Sequence, residues 1–374
     1  MKVKHLIISI GFLLCPAFGA ESWDDFDPPV DTEYDWMQMT SGEWLKGEFK
    51  VLYDGVVEFD SDEFDLLEVD LEDVKQLRTC EPKLIRVETG WRSRDEGEDR
   101  GKLTILDGTV LLVDGEEERT YKRKELVAIA PGVERERDFW SGSVSVGITA
   151  RGGNTETTDM TTMANIKRRK ASSRLIADYI GNYSSAKITD DAGVTADNET
   201  ANNHRLTATY DWFLTTRLFW RMAGAQYYRD PFSNIDNQYS LATAIGYDLI
   251  QGPRVEWDVS VGGGYQRQDF VSVEDPLTDD INVDTPFFLA STVYDWEVNS
   301  AVDVLAEYNF RVLNEVSGTY THHALAKVST EFIGDLDFDV SFIWDYIHTP
   351  QADENGVLPE KSDYQLVVSL AYDF

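Results

Sequence analysis

Apolar and polar residues alternate one by one through long stretches of the C-terminal part of the chain. In Phe139–Arg151, for example, Val144, Val146 and Ile148 share one parity, while serines occupy several positions of the other. Successive side chains of a β-strand point to opposite faces, so this run predicts a strand with one apolar and one polar face. Further apolar faces follow at Leu206–Leu214, Tyr239–Leu249, Val255–Val261, Phe288–Trp296, Val302–Phe310 and Phe338–Tyr346.

The charged residues of these runs fall mainly on the face opposite the apolar one. A charge that faces lipid at mid-membrane costs about 2–4 kcal/mol, so residues such as Asp211, Asp258 and Arg311 are predicted to face the lumen or to lie near the rims. In the fifth strand, the same rule predicts that Arg221 and Arg229 point inward. The outward residues of that strand are then Leu218, Trp220, Met222 and Tyr228.

The segments between the predicted strands alternate in length. Long polar segments such as Ser185–Asn202, Asp230–Asn237 and Asp269–Asp284 follow odd-numbered strands, and short turns follow even-numbered strands. Outer-membrane barrels have long extracellular loops and short periplasmic turns, and closure satisfies every backbone hydrogen bond in lipid. We therefore predict an all-β fold in which residues 139–374 form a transmembrane antiparallel barrel of about twelve strands.

The last predicted strand ends on an apolar face at the C-terminal residue. Its outward positions include Leu366, Val368, Leu370, Tyr372 and Phe374. This pattern resembles the C-terminal strand that bacterial outer-membrane barrels present to their assembly machinery. We interpret these residues as an assembly signal, and the resemblance implies the barrel assembly machinery as a partner.

Residues 1–20 have the pattern of a secretory signal peptide. Lys2 and Lys4 precede an apolar run from Leu6 to Leu14, and small residues before Glu21 offer a cleavage site. The apolar run is too short to cross a membrane as a helix. Removal of the signal peptide leaves a single cysteine. One cysteine excludes an intramolecular disulfide and a metal site built on several thiolates.

The region between the signal peptide and the barrel has a different pattern. Residues 21–38 are acidic and contain proline, which predicts a flexible linker. Residues 39–132 contain short alternating runs and Asp-Gly pairs, among them those at Asp54 and Asp107. Asp-Gly favours tight hairpin turns, so this region predicts a small SH3- or Sm-like β domain. A two-fold repeat and a meander without repetition fit the pattern equally, and the loop parity of the barrel places this domain in the periplasm.

The net charge of −34 excludes nucleic acid as a partner, because a polyanion would be repelled. Aromatic residues make up 12% of the chain, as expected of the girdles of a barrel surrounded by outer-membrane lipid and lipopolysaccharide. Acidic loops could also attract divalent cations, although none has the spacing of a helix–loop–helix calcium site. These loop residues are Asp190, Asp191, Asp197, Glu199, Glu274, Asp275, Asp279, Asp280, Asp284, Asp353 and Glu354.

Two short motifs at the start of the predicted barrel resemble a known bacterial family. They consist of Trp140, Gly142, Gly153, Asn154, Thr155, Glu156 and Thr157. With these residues the chain resembles the family of unknown function described as salt-induced outer-membrane protein. The resemblance covers residues 139–374 and implies an outer-membrane location. The family has no established catalytic residues, so the resemblance implies no activity.

Three other features could carry chemistry. The adjacent His322 and His323 suggest a metal or catalytic site, but neighbours on a strand face opposite sides and cannot readily share one ligand. Gly262–Gly264 lacks the lysine of a phosphate loop, and we interpret it as relief of strand curvature. The basic run Lys167–Lys170 could contact lipid headgroups or the acidic N-terminal domain.

The sequence therefore predicts a non-enzymatic envelope protein without a cofactor, metal site or catalytic residues. It would be a narrow channel, or a structural element that the family description links to salt stress. Two alternatives stay open. A hydrolase acting on lipid or peptide would have to use His204, Asp211 or His323. An adhesin or scaffold would bind a periplasmic partner through residues 39–132.

Overall fold

A computed structural model describes residues 33–87, 98–106, 108–131, 136–151, 156–170, 172–189, 195–274, 280–299, 301–333 and 336–374. The predicted signal peptide, most of the predicted linker and Gly153–Thr155 of the family motif lie outside these residues, as do the acidic loop residues Asp190, Asp191, Asp275 and Asp279. Within the described ranges, no helix has the length and apolar character needed to cross a membrane.

The C-terminal region is a closed barrel of twelve antiparallel strands, each paired with its neighbours in the chain. This confirms the predicted fold and strand number. The strands are β11 Trp140–Arg151, β12 Glu156–Arg169, β13 Ser173–Thr189, β14 Thr195–Phe213, β15 Leu218–Asp230, β16 Ile235–Ile250, β17 Val255–Phe270, β18 Asn282–Asn299, β19 Val302–Val312, β20 Tyr320–Ile333, β21 Leu336–Ile347 and β22 Ser362–Asp373.

The barrel is apolar outside and polar inside, as the alternation predicts. On β22, Leu366 is 72% exposed and Leu370 is 57% exposed, because both face outward. The inward Asp211 and Ser341 are fully buried. This distribution is the one expected of a barrel whose exterior contacts lipid.

One strand departs from the predicted alternation. A β-bulge in β15 shifts the register between Arg221 and Gly224, so that Met222 and Ala223 are both exposed. Beyond the bulge the faces are exchanged. Tyr228, predicted outward, lines a lumenal cavity, and Arg229, predicted inward, is an exposed partner of Asp236. A bulge inserts one unpaired residue, which reverses the parity of every residue after it.

The two ends of the barrel carry different connections. At one end, here called the domain end, short connections lie at 170–172, 214–217 and 251–254. At the opposite end, here called the loop end, longer segments lie at 271–281 and 348–361. The predicted alternation of short and long connections is therefore present.

Several predicted loops are shorter than expected. Ser185–Asn202 is mainly strand, because β13 continues to Thr189 and β14 begins at Thr195. Within Asp230–Asn237, only four residues separate β15 from β16. The polar composition of these segments does not end the strands, since their backbone groups are paired with a neighbouring strand.

The described residues of the N-terminal region form a small β domain with ten strands. The strands are β1 Asp35–Met39, β2 Trp44–Tyr53, β3 Val56–Ser61, β4 Asp65–Asp70, β5 Val74–Arg78, β6 Lys83–Val87, β7 Glu98–Leu106, β8 Thr109–Asp114, β9 Glu117–Lys122 and β10 Leu126–Pro131. β1, β5, β7, β6, β10 and β2 pair in that order, and β1 also pairs with β2. These six strands therefore close a small barrel.

The two halves of the small domain have the same pairing. The order β5-β1-β2-β3-β4 in the first half corresponds to β10-β6-β7-β8-β9 in the second. A short 3₁₀ turn precedes the last strand of each half, at Leu71–Asp73 and Arg123–Glu125. The halves join reciprocally, through β5 with β7 and β10 with β2. They share one core instead of forming separate units.

The small domain begins inside the segment predicted as a linker. β1 starts at Asp35, whose buried carboxylate accepts hydrogen bonds from the backbone N–H groups of Phe49, at 2.8 Å, and Cys80, at 2.6 Å. Burial, and then the neighbouring Asp35, raises the pKa of the Cys80 thiol to about 11. This cysteine is therefore protonated at neutral pH and unsuited to act as a nucleophile.

Candidate functional site

The small domain docks on one side of the barrel rim at the domain end. Arg169, the last residue of β12, forms an ion pair with Asp54 of the small domain, with 2.9 Å between Nη2 and Oδ1. Its guanidinium also lies 3.9 Å from the ring centre of Phe213 and 4.8 Å from that of Tyr53. The two charged side chains are only 8% and 10% exposed. The basic run at the end of β12 thus contacts the acidic domain, one of the two roles considered for it.

An apolar contact reinforces this docking. Val127 of the small domain packs with Phe213 and Phe219, which point into the barrel from β14 and β15, and all three are buried. The ring of Phe219 fills the space above Gly246, where a Cβ would lie 2.0 Å from a ring carbon. Arg86 of the small domain donates to the carbonyl oxygen of Phe213 at 3.2 Å. The small domain is therefore packed into the barrel mouth.

A buried charge network lies next to these aromatic rings. Asp211 is fully buried and accepts from Arg174 Nη2 at 3.0 Å and from Arg221 Nε at 2.8 Å. Asp258 lies 3.9 Å from Arg174. Two guanidinium groups held by facing carboxylates link β13, β14, β15 and β17 across the lumen, which narrows it at this level.

An acidic cavity of about 700 Å³, here called the vestibule, opens between the small domain and the rest of the rim. Nine carboxylates line it, against four cationic side chains. The carboxylates are those of Asp54, Glu58, Glu68, Glu256, Asp295, Glu297, Asp303, Asp337 and Asp373, and the cations are Lys167, Arg169, Arg254 and Lys327. A cavity with this excess of carboxylates attracts cations and repels anions.

The small domain contributes Glu58 and Glu68 to the vestibule wall. Burial raises the pKa of both carboxyl groups, and neighbouring carboxylates add to the increase at Glu68. Burial alone would also raise the pKa of Asp54, but Arg169 and the nearby Arg174 lower it below its ordinary value. The docking carboxylate therefore stays charged at a lower pH than the vestibule glutamates do.

The loop end of the lumen contains a second set of charged groups. Asp345 binds Arg205 Nη2 at 2.6 Å and His323 Nδ1 at 2.9 Å. Arg205 also lies over the ring of Tyr228, 4.4 Å from its centre. These groups line a cavity of about 430 Å³. Asp363 lies at its border, within 3.4 Å of Ser233.

The residues considered for hydrolysis are not brought together. His323 faces the lumen, whereas His322 lies on the outer face among aromatic rings, including Trp344 at 5.7 Å. His204 is bonded to Tyr179 Oη at 2.9 Å near the loop end, and Asp211 lies seven residues further along the same strand. At about 3.3 Å per residue, they are roughly 23 Å apart. No catalytic constellation forms from these side chains.

The C-terminal residues interpreted as an assembly signal lie on the outer face of β22 and at Phe374, directly after its end. Leu366, Val368, Leu370, Tyr372 and Phe374 are between 50% and 72% exposed. The interpretation itself stays a prediction.

The first family-motif residues lie beside the terminal phenylalanine. The backbone of Phe374 exchanges hydrogen bonds of 2.9 and 3.0 Å with that of Gly142, the motif residue on β11. A Cβ at Gly142 would lie 3.0 Å from the Phe374 ring. Trp140 is exposed, and its Nε1 donates to Glu136 at 3.3 Å. Glu156 and Thr157 begin β12.

The acidic loops do not assemble a metal site among the residues whose positions are described. No group of three histidine, cysteine, aspartate or glutamate side chains in those ranges could hold an ion. Asp353 instead accepts hydrogen bonds from the backbone N–H groups of Asn355 and Val357 at 2.8 and 2.9 Å. The bond from Val357 is the main cause that lowers the pKa of this carboxyl group.

The docking residues have only a partial signal in the sequence. Phe213 and Phe219 are aromatic residues at inward positions, and these exceptions to the alternation are visible in the sequence. The ion pair between Asp54 and Arg169 spans 115 residues, and neither residue differs from its charged neighbours in the sequence.

The closed barrel, its apolar exterior and its polar lumen define an outer-membrane β-barrel protein. The family model described as "Protein of unknown function, DUF481" matches residues 144–374, and the chain belongs to this family. Its description does not mention salt, so the link to salt stays a prediction. No curated protein matches the chain.

Several solved outer-membrane barrels are similar in fold. A NanC porin structure is 10% identical with a TM-score of 0.35, covering 62% of this chain and all of its own. The COG4313 outer membrane channel from Pseudomonas putida F1 is 12% identical with a TM-score of 0.34, covering 63% of this chain and 95% of its own. The outer membrane channel DcaP of Acinetobacter baumannii is 8% identical with a TM-score of 0.26, covering 91% of this chain and 94% of its own. These similarities concern the fold alone.

Proposed function

We propose that this protein is a narrow, cation-preferring channel of the outer membrane. The small β domain lies in the periplasm and partly covers the domain end of the barrel. The observation that carries this proposal is the acidic vestibule between the domain and the rim, lined by nine carboxylates and four cationic side chains. A cleft lined mainly by one sign of charge raises the local concentration of counter-ions.

The asymmetric docking of the small domain supports the same proposal. Asp54 and Val127 contact the rim at β12, β14 and β15, whereas the vestibule lies against β11, β12 and β17 to β22, so the two overlap only at β12. A domain held on one side regulates access without sealing the mouth. The short connections at the domain end support its periplasmic position, since outer-membrane barrels place short turns there.

Conductance in planar bilayers tests the proposal. With a KCl gradient across the bilayer, we expect discrete steps of current. We also expect a reversal potential whose sign shows that K⁺ passes more readily than Cl⁻. The double variant Glu58→Gln/Glu68→Gln removes two vestibule charges of the small domain and leaves the barrel unchanged. We expect it to conduct with a reversal potential closer to zero, because the local cation concentration falls.

Glu117→Gln/Glu118→Gln is the matched control, since both residues are exposed carboxylates of the same domain and do not line the vestibule. We expect its reversal potential to equal that of the unmodified protein. A correctly folded barrel without conductance steps would disprove the channel. Equal reversal potentials in both double variants would disprove the role of the vestibule.

Two expected partners belong to the same proposal. The exposed apolar faces contact outer-membrane lipid and, at the loop end, lipopolysaccharide. The outward residues of β22 and the adjoining Phe374 are recognised by the barrel assembly machinery. Their exposure of at least 50% supports this role, because a strand that is recognised during insertion must present its side chains.

A further inference from the structure

Arg311 lies near the loop end of the lumen without an ionic partner among the described residues. Its guanidinium donates to the amide oxygen of Gln226 and to Oγ of Ser240, the latter at 3.5 Å. It also lies over the ring of Phe287, 5.0 Å from the ring centre. All three of these groups are neutral, so they orient the guanidinium and leave its charge uncompensated.

The position of Phe287 depends on the glycine run in β17. A Cβ at Gly264 would lie 2.7 Å from the Phe287 ring, so the bare backbone of this glycine provides the space that the ring occupies. The sequence predicts that this run relieves strand curvature, and the structure gives Gly264 a steric role. The ring forms a platform for the Arg311 guanidinium.

A cavity of about 100 Å³ adjoins Arg311. Gln238, Asn309 and Thr321 also line it, and each has an N–H or O–H group that can donate. Within the described part of the chain, none of these three side chains forms a hydrogen bond with another residue. Three unused donors and a cation therefore face one small space.

The other charged residues around the cavity leave this cation available. Asp345, which also lines it, is already bound by Arg205 and His323. Glu360, Asp363 and Lys361 also line it, and among the described residues neither carboxylate forms an ion pair with Arg311. The cavity has room for about three waters at about 30 Å³ each, which suffices for one carboxylate or phosphate group.

We propose that this cavity binds a small oxyanion, a carboxylate or phosphate group, through Arg311, with Gln238, Asn309 and Thr321 as further donors. A guanidinium has five N–H groups in a planar fork, and two are used by Gln226 and Ser240. The remaining N–H groups match the geometry of two oxyanion oxygens. This one cavity would thus bind an ion of opposite charge to those that the vestibule attracts.

Isothermal titration calorimetry on the full chain folded in detergent tests the site. Sodium phosphate, sodium acetate and sodium chloride are the titrants, at constant ionic strength in bis-Tris buffer. We expect saturable binding of phosphate, acetate or both, and Arg311→Gln should weaken it about tenfold or more. Binding of one titrant alone distinguishes a phosphate ligand from a carboxylate ligand.

Arg267→Gln is the matched control, because this arginine is exposed and forms ion pairs outside the cavity. It should bind like the unmodified protein. Asn309→Asp is a second variant that places a carboxylate beside Arg311 and should also weaken binding about tenfold or more, which keeps the test decisive if Arg311→Gln does not fold. Absent binding, equal binding of chloride, or binding that both cavity variants retain would overturn the proposal. Calorimetry requires no conduction, so a failure of the channel proposal leaves this test valid.

Discussion

The small domain and the barrel use the same alternation of apolar and polar residues but bury opposite faces. In the small domain Phe49 and Phe59 point inward and are 0% exposed. In the barrel Tyr364 and Leu366 point outward and are 68% and 72% exposed. Alternation therefore identifies a strand and its two faces, whereas the surrounding solvent decides which face becomes the inside.

Strand number explains part of this difference. A closed barrel of six strands has an interior that apolar side chains fill completely, as the cluster around Met37 and Ile129 does. Twelve strands enclose more space, which polar and charged side chains line and water can enter. The small domain is consequently stabilised by its core, and the lumen by pairs of charges.

Removal of an aromatic ring from the core of the small domain should cause the largest loss of stability. Phe59 is fully buried in the small domain, so Phe59→Ala should destabilise that domain by about 3–5 kcal/mol. Phe64→Ala is the control, because Phe64 is 65% exposed and should change stability by no more than about 0.5 kcal/mol. Urea unfolding, monitored by hydrogen exchange of the backbone amides of residues 44–61, measures the free energy of unfolding of both variants. Similar losses in the two variants would contradict a packed core.

The corresponding test in the lumen removes a charge instead of a ring. Asp211→Asn leaves Arg174 and Arg221 without their shared carboxylate, and we expect the barrel to lose about 3 kcal/mol. Asp284→Asn is the control, since its side chain is 50% exposed and its partner Arg267 is 3.9 Å away. It should cost no more than about 1 kcal/mol. Gel mobility after urea titration of vesicle-inserted protein gives both values, and a stable Asp211→Asn barrel would show that the network is dispensable.

The smallest loss of stability is expected for the docking contact between the small domain and the barrel. Arg169 and neighbouring cations lower the folded-state pKa of Asp54, overcoming the increase that burial alone would cause. The ion pair therefore stabilises docking above the ordinary aspartate pKa, and this stabilisation is lost as pH falls through the lowered value.

Spin labels at Lys102 and Glu315, in a Cys80→Ser background, measure this docking. We expect the distance distribution to broaden only at acidic pH in the unmodified protein. In Asp54→Asn the distance distribution at neutral pH should be broader than in the unmodified protein, and it should hardly change with pH. The same pH response in both proteins would assign the transition to another group.

The fold was predictable because its signals are local. Each barrel strand carries its own alternation, and the parity of polar residues on β16 or β22 identifies the lumenal side. The bulge in β15 was not predictable in this way. Met222 and Ala223 both suit an outward position, so nothing in their side chains indicates that one residue is added and the parity after them reversed.

The candidate sites were far less predictable. Asp54 and Arg169 are 115 residues apart, and Arg311 reaches Gln226 across 85 residues. Each is an ordinary charged residue in its own segment. What distinguishes them is the set of neighbours that closure and docking bring to them.

The amino-acid sequence by itself determined the twelve barrel strands, the faces of most of them and the small β domain ahead of them. These properties depend on a two-residue period that every strand displays alone. Only the tertiary structure decided that six strands of the small domain close on one core, that this domain docks at β12 to β15, and that Arg311 keeps an uncompensated charge. The physical reason is that docking, charge compensation and cavity shape depend on side chains from distant strands, whose distances are set only when both barrels have closed.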